Sequence, residues 1–168
     1  MLLALAFAAL LQTQPVRPAA QEPTPLSGID IVAPNGTPKI VSTYPAAGAA
    51  VAPGPLVLTV RFDHRMNPAG FSYSTGEGAP ACLDKPRLLA DEKTFVLLCS
   101  VGFNQSFTVR MNVDCKGFVD LAAKPADSAS LAFTTTGGEP TATVADALKA
   151  AGLKDIDSPI LDSKPAGG

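Results

Sequence analysis

Histidine, charge and cysteine are all scarce in this chain, and each shortage removes a class of function. One histidine, His64, stands alone among 168 residues, so no second imidazole is available to complete a histidine-based metal site. Charged residues make up 17%, and thirteen Lys and Arg nearly balance fifteen Asp and Glu for a net charge of −2. Nucleic-acid binding needs a concentrated basic face, and this composition does not supply one. The three cysteines, Cys82, Cys99 and Cys115, show no CxxC spacing, which removes the dithiol redox motif and the zinc knuckle. No "GxSxG" elbow and no "DxDxDG" loop occurs, so neither a serine-hydrolase turn nor a calcium hand is encoded. The chain reads as non-enzymatic, without a cofactor and without a nucleic-acid partner.

Proline and glycine, by contrast, are plentiful: 16 and 14 of 168 residues. The length suits one ordinary domain with flanks. At the N-terminus an apolar run from Met1 to Leu11 is followed by small and polar residues. A spanning helix needs about 20 apolar residues, so the run fits the core of a secretory signal, although the usual preceding Lys or Arg is missing. We expect a signal peptide over 1–20 and a proline-rich linker over 21–38, with no stable membrane span after cleavage. The expected location is periplasmic or secreted, where a disulfide is permitted.

From Lys39 the apolar residues alternate. In "LVLTVRF", Leu56, Leu58, Val60 and Phe62 share one face, while Val57, Thr59 and Arg61 share the other. Such a period of two predicts a half-buried strand. "FTVRMNV" (107–113) and "SLAFTT" (130–135) repeat the pattern, and "KIVSTY" (39–44), a stretch near 80–89 and "TFVLLC" (94–99) are further strands. Turn-forming stretches such as "MNPAG", "ADEK" and "GFNQ" separate them. Short strands without long helical segments between them predict an all-β antiparallel sandwich or barrel over 39–137. Over 138–168 the pattern predicts one short helix, with Thr143 as N-cap and Gly152 near its end, then a flexible tail.

Four motifs in order, "VSTYPAAGAAVAPG", "LVLTVRFDHRMNP", "CKGFVDLAAKPA" and "LAFTTTG", resemble the bacterial immunoglobulin-like domains of exported and surface-layer proteins. In that comparison the opening is Ser42 to Gly48, the strand end Phe62 to Pro68, the corner Asp120 to Pro125 and the closing strand Phe133 to Thr135. Ala123 and Lys124 stand where a turn glycine and asparagine are usual. The resemblance implies an immunoglobulin-like sandwich of about seven strands with a structural or binding role, its partner an unidentified protein or component of the cell envelope.

Two groups remain as candidate sites. His64 and Met66, beside Asp63, offer an imidazole and a thioether, both soft ligands for copper. The copper-resistance protein C family, a group of small periplasmic sandwiches, resembles this chain in its opening and strand end. The resemblance implies copper ligands that include the mature N-terminal histidine and further His, Asp or Met residues, whereas this chain has no second histidine and Met111 falls on an apolar strand face. The expected role of Asp63 to Met66 is a solvated strand end, with Phe62 the last buried residue and adjacent Asp63 and His64 pointing apart. Cys82 and Cys99 flank two strands joined at "ADEK". With Ala90 and Asp91 as a two-residue turn they would lie opposite each other, and a neighbouring register would leave them diagonal; a disulfide is expected, and the competing reading is a pair of buried thiols.

Overall fold

The computed structural model describes residues 36–74, 76–113 and 117–160. The expected signal peptide (1–20), the linker as far as residue 35, Cys115 and residues 161–168 lie outside the described residues. The chain divides into Met1–Ile31 and Val32–Gly168, and the description concerns the second unit.

Eight strands are described: β1 (Ile40–Tyr44), β2 (Ala50–Val51), β3 (Gly54–Phe62), β4 (Ala81–Cys82), β5 (Arg87–Leu88), β6 (Thr94–Val101), β7 (Ser106–Met111) and β8 (Ala129–Thr135). They build a β-sandwich. One sheet runs β1-β3-β6, with β4 and β5 both paired to the far side of β6; the other runs β2-β8-β7. On the remaining side of β7, Tyr73 bridges Met111. Lettered A to G in chain order, with the first strand shared between sheets, this is an A-B-E-D sheet facing G-F-C, the immunoglobulin arrangement. One pair departs from the antiparallel expectation. β2 runs parallel to β8, Ala50 opposite Thr134, because the chain crosses from the first sheet to the second between β1 and β2.

The alternating residues meet between the sheets. Leu58, Val60 and Phe62 of β3 are 0–1% exposed and face Val109, Met111, Leu131 and Phe133 of β7 and β8. Phe118 enters from the following loop and packs on Phe62 and Phe95 at centroid distances of 5.1 and 5.0 Å.

Beyond this core lies a layer the alternation does not predict. Val57 of β3 and Val96 of β6, on the outer face of the first sheet, are 0% exposed. They are covered by the helix α1 (Val144–Ala150), whose Ala147 and Leu148 pack on them with Leu98 and Leu153 half-buried alongside. β3 is therefore buried on both faces rather than half-buried. The helix forms where expected. Thr143 Oγ1 accepts from the Asp146 amide at 3.1 Å, and Gly152 at φ 70° lets the Leu153 and Gly152 amides donate to the Leu148 and Lys149 carbonyls. Gly54 allows the strap to cross close by, since a Cβ there would sit 2.5 Å from the Thr141 carbonyl oxygen. Past the helix the chain stays on the sheet through residue 158. Arg87 Nη1 donates to the carbonyls of Ile156 and Ser158 at 2.8 and 2.7 Å.

Candidate functional site

At the end of β3 the chain bends at Asp63 and His64 instead of continuing extended. The bend is tied on several sides. The Asp63 amide donates to the Lys39 carbonyl at 3.0 Å, the Lys39 amide to Asp63 Oδ1 at 2.8 Å, and Lys93 Nζ to the Asp63 carbonyl at 2.9 Å. Because the backbone has left the strand conformation, the neighbouring side chains do not point apart as expected. His64 Nδ1 lies 2.6 Å from Asp63 Oδ1. An ionised carboxylate can only accept, so Nδ1 carries the proton. Burial works to raise the Asp63 pKa, but the hydrogen bonds from the Lys39 amide and the His64 ring outweigh it and hold the carboxyl below its ordinary value.

The expectation of a solvated strand end is also corrected. His64 is 4% exposed and Met66 is 0% exposed, so Phe62 is not the last buried residue. The reason is long-range pairing. The Met66 amide donates to the Glu92 carbonyl at 2.8 Å, Met66 bridges Asp120, and the Asn67 amide donates to the Val119 carbonyl at 2.9 Å. Arg65, on the outer side, pairs with Glu92. Asn67 then turns the chain, its Oδ1 accepting from the Ala69 amide at 2.9 Å. A thioether sealed in the core is a poor ligand for an incoming ion, and among the described residues no cluster of three or more His, Cys, Asp or Glu side chains is placed to hold a metal. Met111, 2% exposed, is likewise core.

Facing Met66 is a loop that two polar side chains shape from within. Asn112, 1% exposed and at φ 56°, accepts from the Phe118 amide at 2.9 Å and donates to the Ala126 carbonyl at 2.6 Å. Asp120 Oδ1 accepts from the amides of Ala122 and Lys124 at 2.9 and 2.8 Å. Sequence reasoning placed Asp120 at a corner and missed Asn112; an asparagine that ends an alternating strand is the signal that points to it. At the opposite end of the sandwich Thr135 Oγ1 donates to the Gly102 carbonyl at 2.6 Å and accepts from the Gln105 amide at 3.0 Å.

Cys82 lies directly opposite Cys99 in the β4–β6 register, and the two form a disulfide. The hairpin that carries them is not the two-residue turn expected at Ala90-Asp91. Leu88 pairs with Phe95, and the Leu89 amide donates to the Thr94 carbonyl, leaving a four-residue loop from Ala90 to Lys93. Asp91 caps that loop, accepting from the Lys93 and Thr94 amides and from the Thr94 hydroxyl at 2.6 Å. An irregular stretch at Asp84-Lys85-Pro86 shifts the register between β5 and β4, and the shift restores the cysteine pairing.

No family model matches this sequence, and no curated protein does. Among solved structures the chain is similar to CopC from Methylosinus trichosporium OB3b, with 18% identity over 62% of this chain and 99% of that one and a TM-score of 0.48. It is also similar to domains 1–6 of the surface layer protein SbsC, with 18% identity over 64% of this chain and 15% of that one and a TM-score of 0.43. These likenesses concern the fold, which the strand order above establishes independently.

Proposed function

We propose that the chain is an exported, non-enzymatic immunoglobulin-like module of a bacterial envelope, with a structural, adhesive or protein-binding role in the periplasm or at the cell surface. The observation that carries this reading is the use made of the buried polar side chains. Asn112, Asp120 and Thr135 each bind main-chain groups of loops, and His64 is tied to Asp63. These groups hold corners in place, whereas a catalytic acid or base has to reach substrate. The apolar leader and the proline-rich segment before the sandwich support export. The competing reading, a periplasmic copper carrier resembling copper-resistance protein C, would draw on His64 and Met66; the complete burial of Met66 weighs against it.

The test is to express the full chain with a C-terminal tag, fractionate the cells, cross-link in the envelope, and titrate the purified protein with copper by calorimetry. The expected protein is leaderless, periplasmic or surface-bound, cross-linked to an envelope component, and without copper affinity tighter than about micromolar. Retention in the cytoplasm would sink the proposal, and tight copper binding would replace it with the carrier.

A further inference from the structure

Between the two sheets, on the side where each has its weakest edge, an open cavity of about 230 Å³ reaches the core. Its floor is Leu58, Leu97 and Val109, residues of three different strands that are 0–2% exposed. The gap exists because neither edge closes it. On the first sheet β4 is two residues long and runs into the irregular stretch at Asp84. On the second, the segment carrying Phe71 and Tyr73 makes a single bridge to β7. The walls are the Phe71 and Tyr73 side chains, and Ser72, Ser74 and Asp84 supply the polar lining.

We propose that this cavity is a binding site for a small molecule with an apolar body of about one ring and a positively charged, hydrogen-bond-donating head. Size sets the body, since a dry apolar cavity of about 150 Å³ already accommodates benzene. Chemistry sets the head. Asp84 is the one charged side chain among the described lining residues, and it is exposed, which places its carboxylate at the open side of the cavity. Ser74 Oγ accepts from the Arg110 amide at 2.8 Å and keeps a second lone pair, which can accept from an ammonium. A carboxylate head would face Asp84 and be repelled; a primary ammonium would pair with it. The site is separate from the corners that support the envelope-module reading and stands or falls without it.

Benzylamine, benzyl alcohol and benzoate share one ring and differ in the head, which makes them suitable probes. The chain has no tryptophan, so Leu83→Trp at the cavity mouth, where Leu83 is 50% exposed, gives a single fluorescent reporter without disturbing the core. Backbone amide shifts of the unmodified full chain provide an independent map. The expected result is saturable benzylamine binding with a Kd below about 1 mM, weaker binding of the alcohol and none of benzoate. Shifts should concentrate at 71–74 and 82–84. Asp84→Asn, a surface change, should weaken benzylamine about fivefold and leave benzyl alcohol unchanged. Absence of saturation to about 10 mM, shifts centred elsewhere, benzoate binding equal to benzylamine, or an unaltered Asp84→Asn affinity would each overturn the proposal.

Discussion

Asn112 and Phe118 are joined in both directions: the Phe118 amide donates to Asn112 Oδ1 at 2.9 Å, and Asn112 Nδ2 donates back to the Phe118 carbonyl at 3.4 Å. The pair sets the ring of Phe118, 0% exposed, against Phe62 and Phe95, and with it the loop on which Met66 rests. Replacing Asn112 with alanine leaves the Ala126 carbonyl and the Phe118 amide unpaired in the core and puts a β-carbon at φ 56° without side-chain compensation. A loss of about 3 kcal/mol is expected, from one or two buried unsatisfied groups and a left-handed residue. Urea unfolding of the full chain measures it. A loss below about 1 kcal/mol would show that the loop is held by packing alone.

The neighbouring corner carries a correctable cost. Ala123 sits at φ 62°, where glycine is the relaxed choice, and its amide donates to the Asp120 carbonyl at 3.0 Å. Ala123→Gly should stabilise the fold by about 0.5–1 kcal/mol, the relief of the left-handed β-carbon exceeding the added entropy of the unfolded chain. Ala123→Val should destabilise it. Thermal midpoints for the pair decide the matter, and the same sign for both would refute the assignment.

Interaction range separates the features that are legible in the sequence from those that are not. The alternation in β3, β7 and β8 reports one face of each strand, and those faces meet as the inter-sheet core. Asp63, His64 and Met66 are different. Asp63 stays partly exposed beside a buried His64, and Met66 and Asn67 are fixed by Glu92, Val119 and Asp120, residues whose proximity is a consequence of the finished sandwich and leaves no local trace. Val57 and Val96 look like residues of an ordinary outer face until α1 is placed over them. The cysteine pairing was legible for a reason that proved incomplete: a different turn and a register shift compensate each other.

Acid should destabilise the fold through Asp63 and Asp91. Burial opposes ionisation of Asp91, but the Thr94 hydroxyl, the Lys93 and Thr94 amides and the Arg61 charge outweigh it and hold its pKa below the ordinary value, as the Lys39 and His64 bonds do for Asp63. Both carboxyls therefore bind protons more weakly in the folded chain than in the unfolded one. Their contribution is complete above the unfolded pKa of about 4 and is lost as the pH falls through the lower folded values. Urea midpoints measured from pH 6 down to pH 3 should fall, and Asp91→Asn should flatten part of the slope. Because the Asp91 side chain is 40% exposed, that part is small and shrinks further in salt. An unchanged slope in Asp91→Asn would show that its bonds do not form in solution.

Leu148 tests whether the helical strap belongs to the folded unit. At 4% exposure it covers Val57 and Val96 together with Ala147, while a seven-residue helix has little stability of its own. Its order must therefore come from the sheet, and the sheet's outer face must depend on it in return. Leu148→Ala should cost about 2 kcal/mol in one cooperative transition, at the lower end for a buried leucine because the site is near the surface. Leu148→Asp should release the strap and expose an apolar sheet face, giving dye binding and concentration-dependent association while the inter-sheet core stays folded. Hydrogen exchange separates the outcomes: protection lost over 144–153 and kept in β6 and β7 fits a docked strap. Equal protection in the wild type and Leu148→Asp would mean that the helix does not rest on that face.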